Sequence, residues 1–358
     1  MAQDLISIAA LLCVALCNHG QSDAERAQEA ITKAGGMVIQ DPNQAGKPII
    51  GAHLGNCDVD DDWLVNLIKL TDLQVLYLGG TQVTDRGLAR VAGFSKLRQL
   101  DLYGCTVTDA GLANLKTLTR LEKLSLSHTK VTDKGLETLG GLIHLRELDL
   151  SATQVTDKGL RHCDTLVDLR QLALTRTQVT GTGFAKARSL KNIEHIDLSL
   201  SPVSDRGLAE ICGLASLCEL SLGATKISDA GTVHLQHLKN LRKLYLGLWS
   251  WTEELPRNSI TDASMRNVAK LTSLSVLGLT GTKVTDKGIE SLQGLSKLRT
   301  LYLEGTEVSE KSVQTFKALP QLRWLSLLGS NTSPAAIDRL RRELPHVTFT
   351  PTPPMADR

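Results

Sequence analysis

From Ile49 onward the apolar residues of this chain return in a pattern that repeats every 24 positions. Units begin at Ile49, Leu73, Leu97, Leu121, Leu145, Leu169, Ile193, Leu217, Leu241, Leu274, Leu298 and Leu322, twelve in all, and only the one starting at Leu241 is longer, by nine residues near 249–257. Each unit opens as LxxLxL. Its last two leucines, such as Leu76 and Leu78, alternate with an outward residue, which is the period of a strand. The period then changes: after a Thr-Asp pair and a Gly, apolar residues fall three apart, as in Leu112, Leu115 and Leu118, the inward stripe of a short helix. Thr84, Thr108, Thr132, Thr156 and Ser204 stand where a hydroxyl caps the first helical turn, and the Asp that follows suits the positive helix end.

One strand-turn-helix unit cannot bury its apolar face alone, whereas a stack of them covers each face with its neighbours. Strands pack about 4.8 Å apart and helices about 8–10 Å apart, so such a stack bends with a parallel sheet on its concave face. Twelve units then give an inner arc of roughly 55 Å. The TxVTDxGLxxLxxL body resembles leucine-rich repeats, and within them bacterial repeat proteins related to the cysteine-containing subclass of eukaryotic F-box adaptors. The resemblance runs from Ile49 to about Phe349 and implies an α/β leucine-rich-repeat solenoid, a curved horseshoe with helices on the convex face. Where the cysteine-containing subclass has Cys after the strand, this chain has mostly Thr (Thr81, Thr129, Thr153, Thr177, Thr225, Thr282 and Thr306), with Cys at Cys57 and Cys105.

The ends read differently. Residues 1–20 include a thirteen-residue apolar run, Leu5 to Cys17, of signal-peptide length, preceded by Asp4 and no basic residue. Export to the cell envelope or periplasm, or secretion, is the expectation; a cytoplasmic chain with a short buried leader is the alternative. Residues 21–48 form a cap, a helix stopped by Gly35 and Gly36 and then an edge strand in MVIQD. The solenoid itself covers 49–349, where Ser333 and Pro334 open a last helix and Arg339, Arg341 and Arg342 favour its negative end. The tail 350–358 is rich in proline and reads as disordered.

Composition narrows the function. A formal charge of +2, from 40 basic and 38 acidic residues, supplies no field for nucleic acid. Cys13 and Cys17 lie in the leader, and the other five cysteines are scattered without a CxxC pair, so they read as buried thiols and not as a disulfide framework. No GxSxG, HExxH or phosphate-loop motif occurs, and the chain is read as non-enzymatic, without a cofactor.

Aromatics are 3% of the chain, which makes their positions informative. Outward strand positions carry Tyr77, Asp101, Glu147, Asp149, His195, Asp197, Glu219, Tyr245, Tyr302 and Trp324, with Tyr103 at a strand edge. Acids gather mid-arc and aromatics lie toward the two ends, a surface suited to a protein or peptide ligand with a basic patch. His195 and Glu219 fall on adjacent strands, but a chelating site needs three converging ligands, so no metal is assigned. Trp249 and Trp251, in the insertion, are candidates for recognition at one rim. The Asp column that includes Asp61, Asp85, Asp109 and Asp133 reads as helix-start electrostatics; Gly181 interrupts it. Two other functions fit the same fold: a substrate-recognition adaptor of a ubiquitin-ligase type and a structural cell-envelope protein.

Overall fold

The computed structural model describes residues 22–248 and 258–349. The chain divides into two compact units, 1–130 and 131–358. The expected leader, the tail and the Trp-bearing insertion lie outside the described residues.

In the first unit, helix α1 (Asp23–Lys33) is opened by a reciprocal cap in which Ser22 and Glu25 bond each other's backbone amides. Ala27 and Ile31 form its buried stripe. Strand β1 (Met37–Gln40) pairs antiparallel with β2 (Ile49–His53). Strands β3 (Val75–Tyr77), β4 (Gln99–Asp101) and β5 (Lys123–Ser125) continue parallel from β2, with Ala52 beside Leu76, Leu76 beside Leu100 and Leu100 beside Leu124. That register is the 24-residue repeat made visible. Behind the sheet lie helix α2 (Asp85–Val91) and helix α3 (Asp109–Leu112), the latter tightening into a 3-10 turn over Ala113–Thr117. Leu112, Leu115 and Leu118 are fully buried, as their spacing predicts.

The second unit repeats the plan with strands β6 (Glu147–Asp149), β7 (Gln171–Ala173), β8 (His195–Asp197), β9 (Glu219–Ser221) and β10 (Lys243–Tyr245). After the insertion come β11 (Val276–Gly278), β12 (Thr300–Tyr302), β13 (Trp324–Ser326) and β14 (Thr348–Phe349). Leu244 still faces Leu277, so the nine extra residues leave the register of β10 and β11 unchanged. Helix α4 (Pro334–Glu343) lies between β13 and β14; Ser333 caps it and Arg341 and Arg342 occupy its last turn. Arg339 instead reaches Glu343, one turn on, which Lys317 also contacts.

Two sets of hydrogen bonds order the repeats, the first mostly within one repeat and the second between neighbours. Beneath the strand ends, buried threonines close the turn: the hydroxyls of Thr81, Thr129, Thr153 and Thr282 each donate at 2.6 Å to the leucine carbonyl three residues back. Cys105 and Ser201 make the equivalent bond to the preceding repeat, onto Leu78 and Leu174.

The second set belongs to the Asp column. Asp85, Asp133 and Asp262 stand in the first turn of their own helices, Asp61 does not, and all four accept the backbone amide and the hydroxyl of the capping residue one repeat later. Asp61 receives Thr84 at 2.8 and 2.7 Å. Asp85 receives Thr108 at 2.8 and 2.6 Å. In the second unit Asp133 holds Thr156 at 2.7 Å twice, and Asp262 holds Thr285 at 2.8 and 2.7 Å. The same threonine oxygen accepts the amide of its own first helical turn, as from Arg86 to Thr84. Its one proton goes to the previous repeat and its lone pair to its own helix. The Gly of TDxG follows from this closeness: a Cβ on Gly111 would lie 2.2 Å from Asp85 Oδ1.

Gly181 shows the seam without its acid. Its φ is +91°, and the amide of Ser204 there donates to the Thr180 carbonyl at 3.1 Å. Gly207 completes the join, since a Cβ on it would sit 1.9 Å from that carbonyl oxygen.

Candidate functional site

A strand three residues long turns its middle side chain into the core and its first and third outward. Leu76, Leu100, Leu148 and Ile196 are buried accordingly, and the residues on either side of them form an outward strand face in each unit.

Three of the predicted acids share one local arrangement. Asp101, Asp149 and Asp197 end their strands, and in each Oδ1 accepts the amide two residues on, from Tyr103, Ser151 and Ser199, at 2.9 Å. This is an Asx-type turn, the bond short acidic side chains make where a strand stops. It uses one lone pair and leaves the negative charge in place.

On the first unit's strand face, Tyr77 on β3 is half-buried and donates its hydroxyl to Gln99 Oε1 at 2.9 Å. The ring of His53, on β2, meets it edge-on with centroids 5.3 Å apart. Tyr103 is 48% exposed and is braced from the other side by His128, at 5.1 Å. Between Tyr77 and Tyr103 lies Asp101. These side chains surround an open depression of about 320 Å³ whose floor is Gly55 and Gly79. The two glycines hold the position that Tyr103 holds one repeat later, so the absence of two side chains makes the hollow and a third makes its wall. A Cβ on Gly79 would lie 2.7 Å from Asp101 Oδ2, so the glycine also makes room for the carboxylate.

On the second unit's strand face, Glu147 and Asp149 are half-buried on β6. Ala173 stands in register between Asp149 and Asp197. His195 and Glu219 are adjacent, with Nδ1 3.1 Å from Oε2, and Lys243 approaches the same oxygen at 3.3 Å. Glu219 therefore serves a line of three side chains on consecutive strands, and its charge is partly balanced on the face. Among the described residues no three His, Cys, Asp or Glu converge as a metal-holding group.

Farther along this unit, Tyr245 and Tyr302 lean together over Gly278, with ring centroids 6.4 Å apart. A Cβ on Gly278 would meet Tyr245 Cδ1 at 2.7 Å, so the rings cover that strand because it lacks a side chain. Beside them Glu304 is 95% buried in residue terms, at 5% exposure, and accepts Ser326 Oγ at 2.6 Å and Thr280 Oγ1 at 3.2 Å. Burial, and then the charge of Glu304, push the Tyr302 hydroxyl above the ordinary tyrosine range. Trp324 is half-buried on β13, and Leu328 just beyond it is 59% exposed. Trp249 and Trp251 lie outside the described residues.

Three successive segments, 95–116, 117–140 and 141–161, match the Leucine Rich repeat family model. The fold is that of leucine-rich repeats. An internalin from Listeria monocytogenes is similar over 92% of this chain and 94% of its own, with 21% identity and a TM-score of 0.61. A leucine-rich-repeat protein of Leptospira interrogans is similar over 81% of this chain and 87% of its own, with 18% identity and a TM-score of 0.51. At these identities the likeness speaks for the fold alone. Comparison with curated proteins finds no match.

Within these leucine-rich repeats the cysteines are packing residues. Cys163 and Cys212 are buried, which pushes both thiols up to about 12, and Cys105 is raised by burial as well. Cys57 and Cys218 are half-buried, less enclosed than a reading of buried thiols expects. His53, His128 and the two floor glycines were not among the candidate residues. The signal for them was in the sequence: glycine at the same repeat position in two consecutive units, directly before a tyrosine.

Proposed function

We propose that this chain is a non-enzymatic recognition scaffold that binds a protein or peptide through its outward strand faces. The observation that carries the reading is a division of labour among side chains of the same kind. Core leucines pack between repeats and seam aspartates are bonded to the neighbouring repeat, while turn threonines close their own buried turns. Among the described residues, the strand-face acids Asp101, Asp149 and Asp197 are bonded to their own turns. Rigid aromatic rings are enriched in binding hot spots, and the acids beside them favour a ligand with a basic patch.

In this reading Tyr77, Asp101 and Tyr103 serve the first unit, and Glu147, Asp149, His195, Asp197 and Glu219 with Tyr245, Tyr302 and Trp324 serve the second. Trp249 and Trp251, which follow β10 in the chain, are assigned to the same task. The apolar run from Leu5 to Cys17 supports placing the protein in the cell envelope or outside the cell; the mass of the mature chain tests that, since retention of residues 1–20 contradicts a cleaved leader.

The test of the function is quantitative capture from the source cells by three baits: the intact protein, a face variant (Asp149→Asn, Asp197→Asn, Tyr245→Ala), and a helix-side control (Lys116→Gln, Glu137→Gln). The asparagines keep the turn bonds. Partners held by the intact protein and the control and lost by the face variant support the reading. Identical partners for all three contradict it.

A further inference from the structure

The depression on the first unit carries more information than its size. Its walls offer two phenol rings, an imidazole and one carboxylate, and none of its lining residues is a lysine or arginine. Several acids of that unit are ion-paired: Asp61 and Asp62 with Arg86, Asp62 also with Arg90, Asp72 with Lys96, and Glu122 with Arg98. Asp101 has the amide of Tyr103 and no cation among the described residues. A carboxylate flanked by aromatic faces and lacking a counter-ion is the complement of a cation that is also flat.

We propose that the hollow bounded by His53, Tyr77, Asp101 and Tyr103 is a subsite for one arginine side chain of the ligand, its guanidinium against the tyrosine rings and bonded to the Asp101 carboxylate. This rests on the strand-face reading and sharpens it to one side chain. Guanidinium is favoured over ammonium because it is planar, stacks on aromatic faces and is weakly hydrated. The rings are held for the purpose: Tyr77 by its bond to Gln99, Tyr103 by His128. Oδ2 of Asp101 stands over Gly79, where any side chain would collide with it. Gly55 serves the opening differently. A Cβ there would meet its nearest neighbour only at 3.4 Å, so a larger residue is tolerated by the backbone and fills the hollow.

The test uses the full chain and capped pentapeptides, Ac-Ala-Ala-Arg-Ala-Ala-amide beside its lysine and citrulline counterparts, followed by NMR of the histidine and tyrosine rings. The arginine peptide is expected to shift the His53, Tyr77 and Tyr103 signals saturably, with the lysine peptide weaker and the citrulline peptide at least tenfold weaker. Asp101→Asn, which keeps the turn bond, is expected to cost about tenfold, and Gly55→Leu to abolish the shifts. Tyr103→Phe retains binding and Tyr103→Leu weakens it about threefold or more, a contrast that a merely structural tyrosine does not give. Equal binding of citrulline and arginine overturns the subsite, as does the absence of saturable shifts. Saturable shifts confined to the second unit also overturn it while leaving the strand-face reading intact. Loss of that wider reading is decided separately, by the capture experiment.

Discussion

Asp85 and Asp101 sit sixteen positions apart in the first unit and do opposite things with the same carboxylate. Asp85 gives both oxygens to Thr108 of the next repeat, and Gly111 stays a glycine to let it in. Asp101 gives one oxygen to its own turn and presents its charge to solvent between two tyrosines. The first belongs to a seam that is nearly uniform along the chain, the second to a face that changes from strand to strand. A repeat protein that recognises a ligand needs its joints alike and its binding surface varied, and in the proposed reading the two demands fall on different columns of one 24-residue unit.

The comparison is broken most severely at the seam. Asp229→Ala removes the acceptor for the amide and hydroxyl of Thr261 and for Ser264 Oγ, and is expected to destabilise by about 3 kcal/mol in denaturant unfolding, because partly buried donors lose their partners. Gly111→Ala, which drives a methyl against Asp85, is expected to lose about 2 kcal/mol by the same measurement.

Acid acts on the seam in the same direction. Burial raises the Asp61 and Asp229 carboxyls, but hydrogen bonds from Thr84 and Arg86 to the first, and from Ser264 and Thr261 to the second, outweigh it and leave both below the ordinary value. A carboxyl lowered by folding contributes stability that is present above its unfolded value of about 3.9 and is lost as pH falls through the folded value. The unfolding midpoint is therefore expected to hold steady from neutral pH to about 5 and to drop below about 4. Replacing Asp61 and Asp229 by Asn flattens that drop.

The turns between strand and seam give a smaller effect of opposite sign. The eighth position of most repeats is left-handed, held by Gly80 at φ +72° and Gly104 at +66° but also by Ala152 and Ala224 at +54°. Left-handed backbone is unfavourable for a residue with a Cβ. Ala152→Gly and Ala224→Gly are each expected to raise stability by about 0.5–1 kcal/mol, less the entropy the glycine adds to the unfolded chain. On the face itself Asp197→Asn keeps its turn bond and is expected to change stability by less than about 0.5 kcal/mol.

How much of this was legible in the sequence follows the range of the interactions. The strand leucines, the capping threonines and the 24-residue register are local or strictly periodic, and LxxLxL with TDxG displays them directly. The seam was half legible: an Asp at a helix start looks the same whether it serves its own helix or the next repeat, and only the packing distance shows that it serves both. On the face, columns of outward residues were readable, but their partners were not. Lys243 next to Glu219 and the ring of His53 on Tyr77 arise between strands 24 residues apart, and neither residue is remarkable in its own unit. The hollow was the least visible feature, because two glycines advertise a turn before they advertise an opening.

The central claim is that the seam holds the repeats together and leaves the strand face free for recognition. Two charge-matched variants of the second unit test it in one set of equilibrium unfolding curves: Asp157→Asn, Asp205→Asn, Asp229→Asn at the seam, and Asp149→Asn, Asp197→Asn, Glu219→Gln on the face. The seam triple is expected to lose more than about 3 kcal/mol and the face triple less than about 1 kcal/mol. Equal losses, or a larger loss for the face triple, would contradict the account.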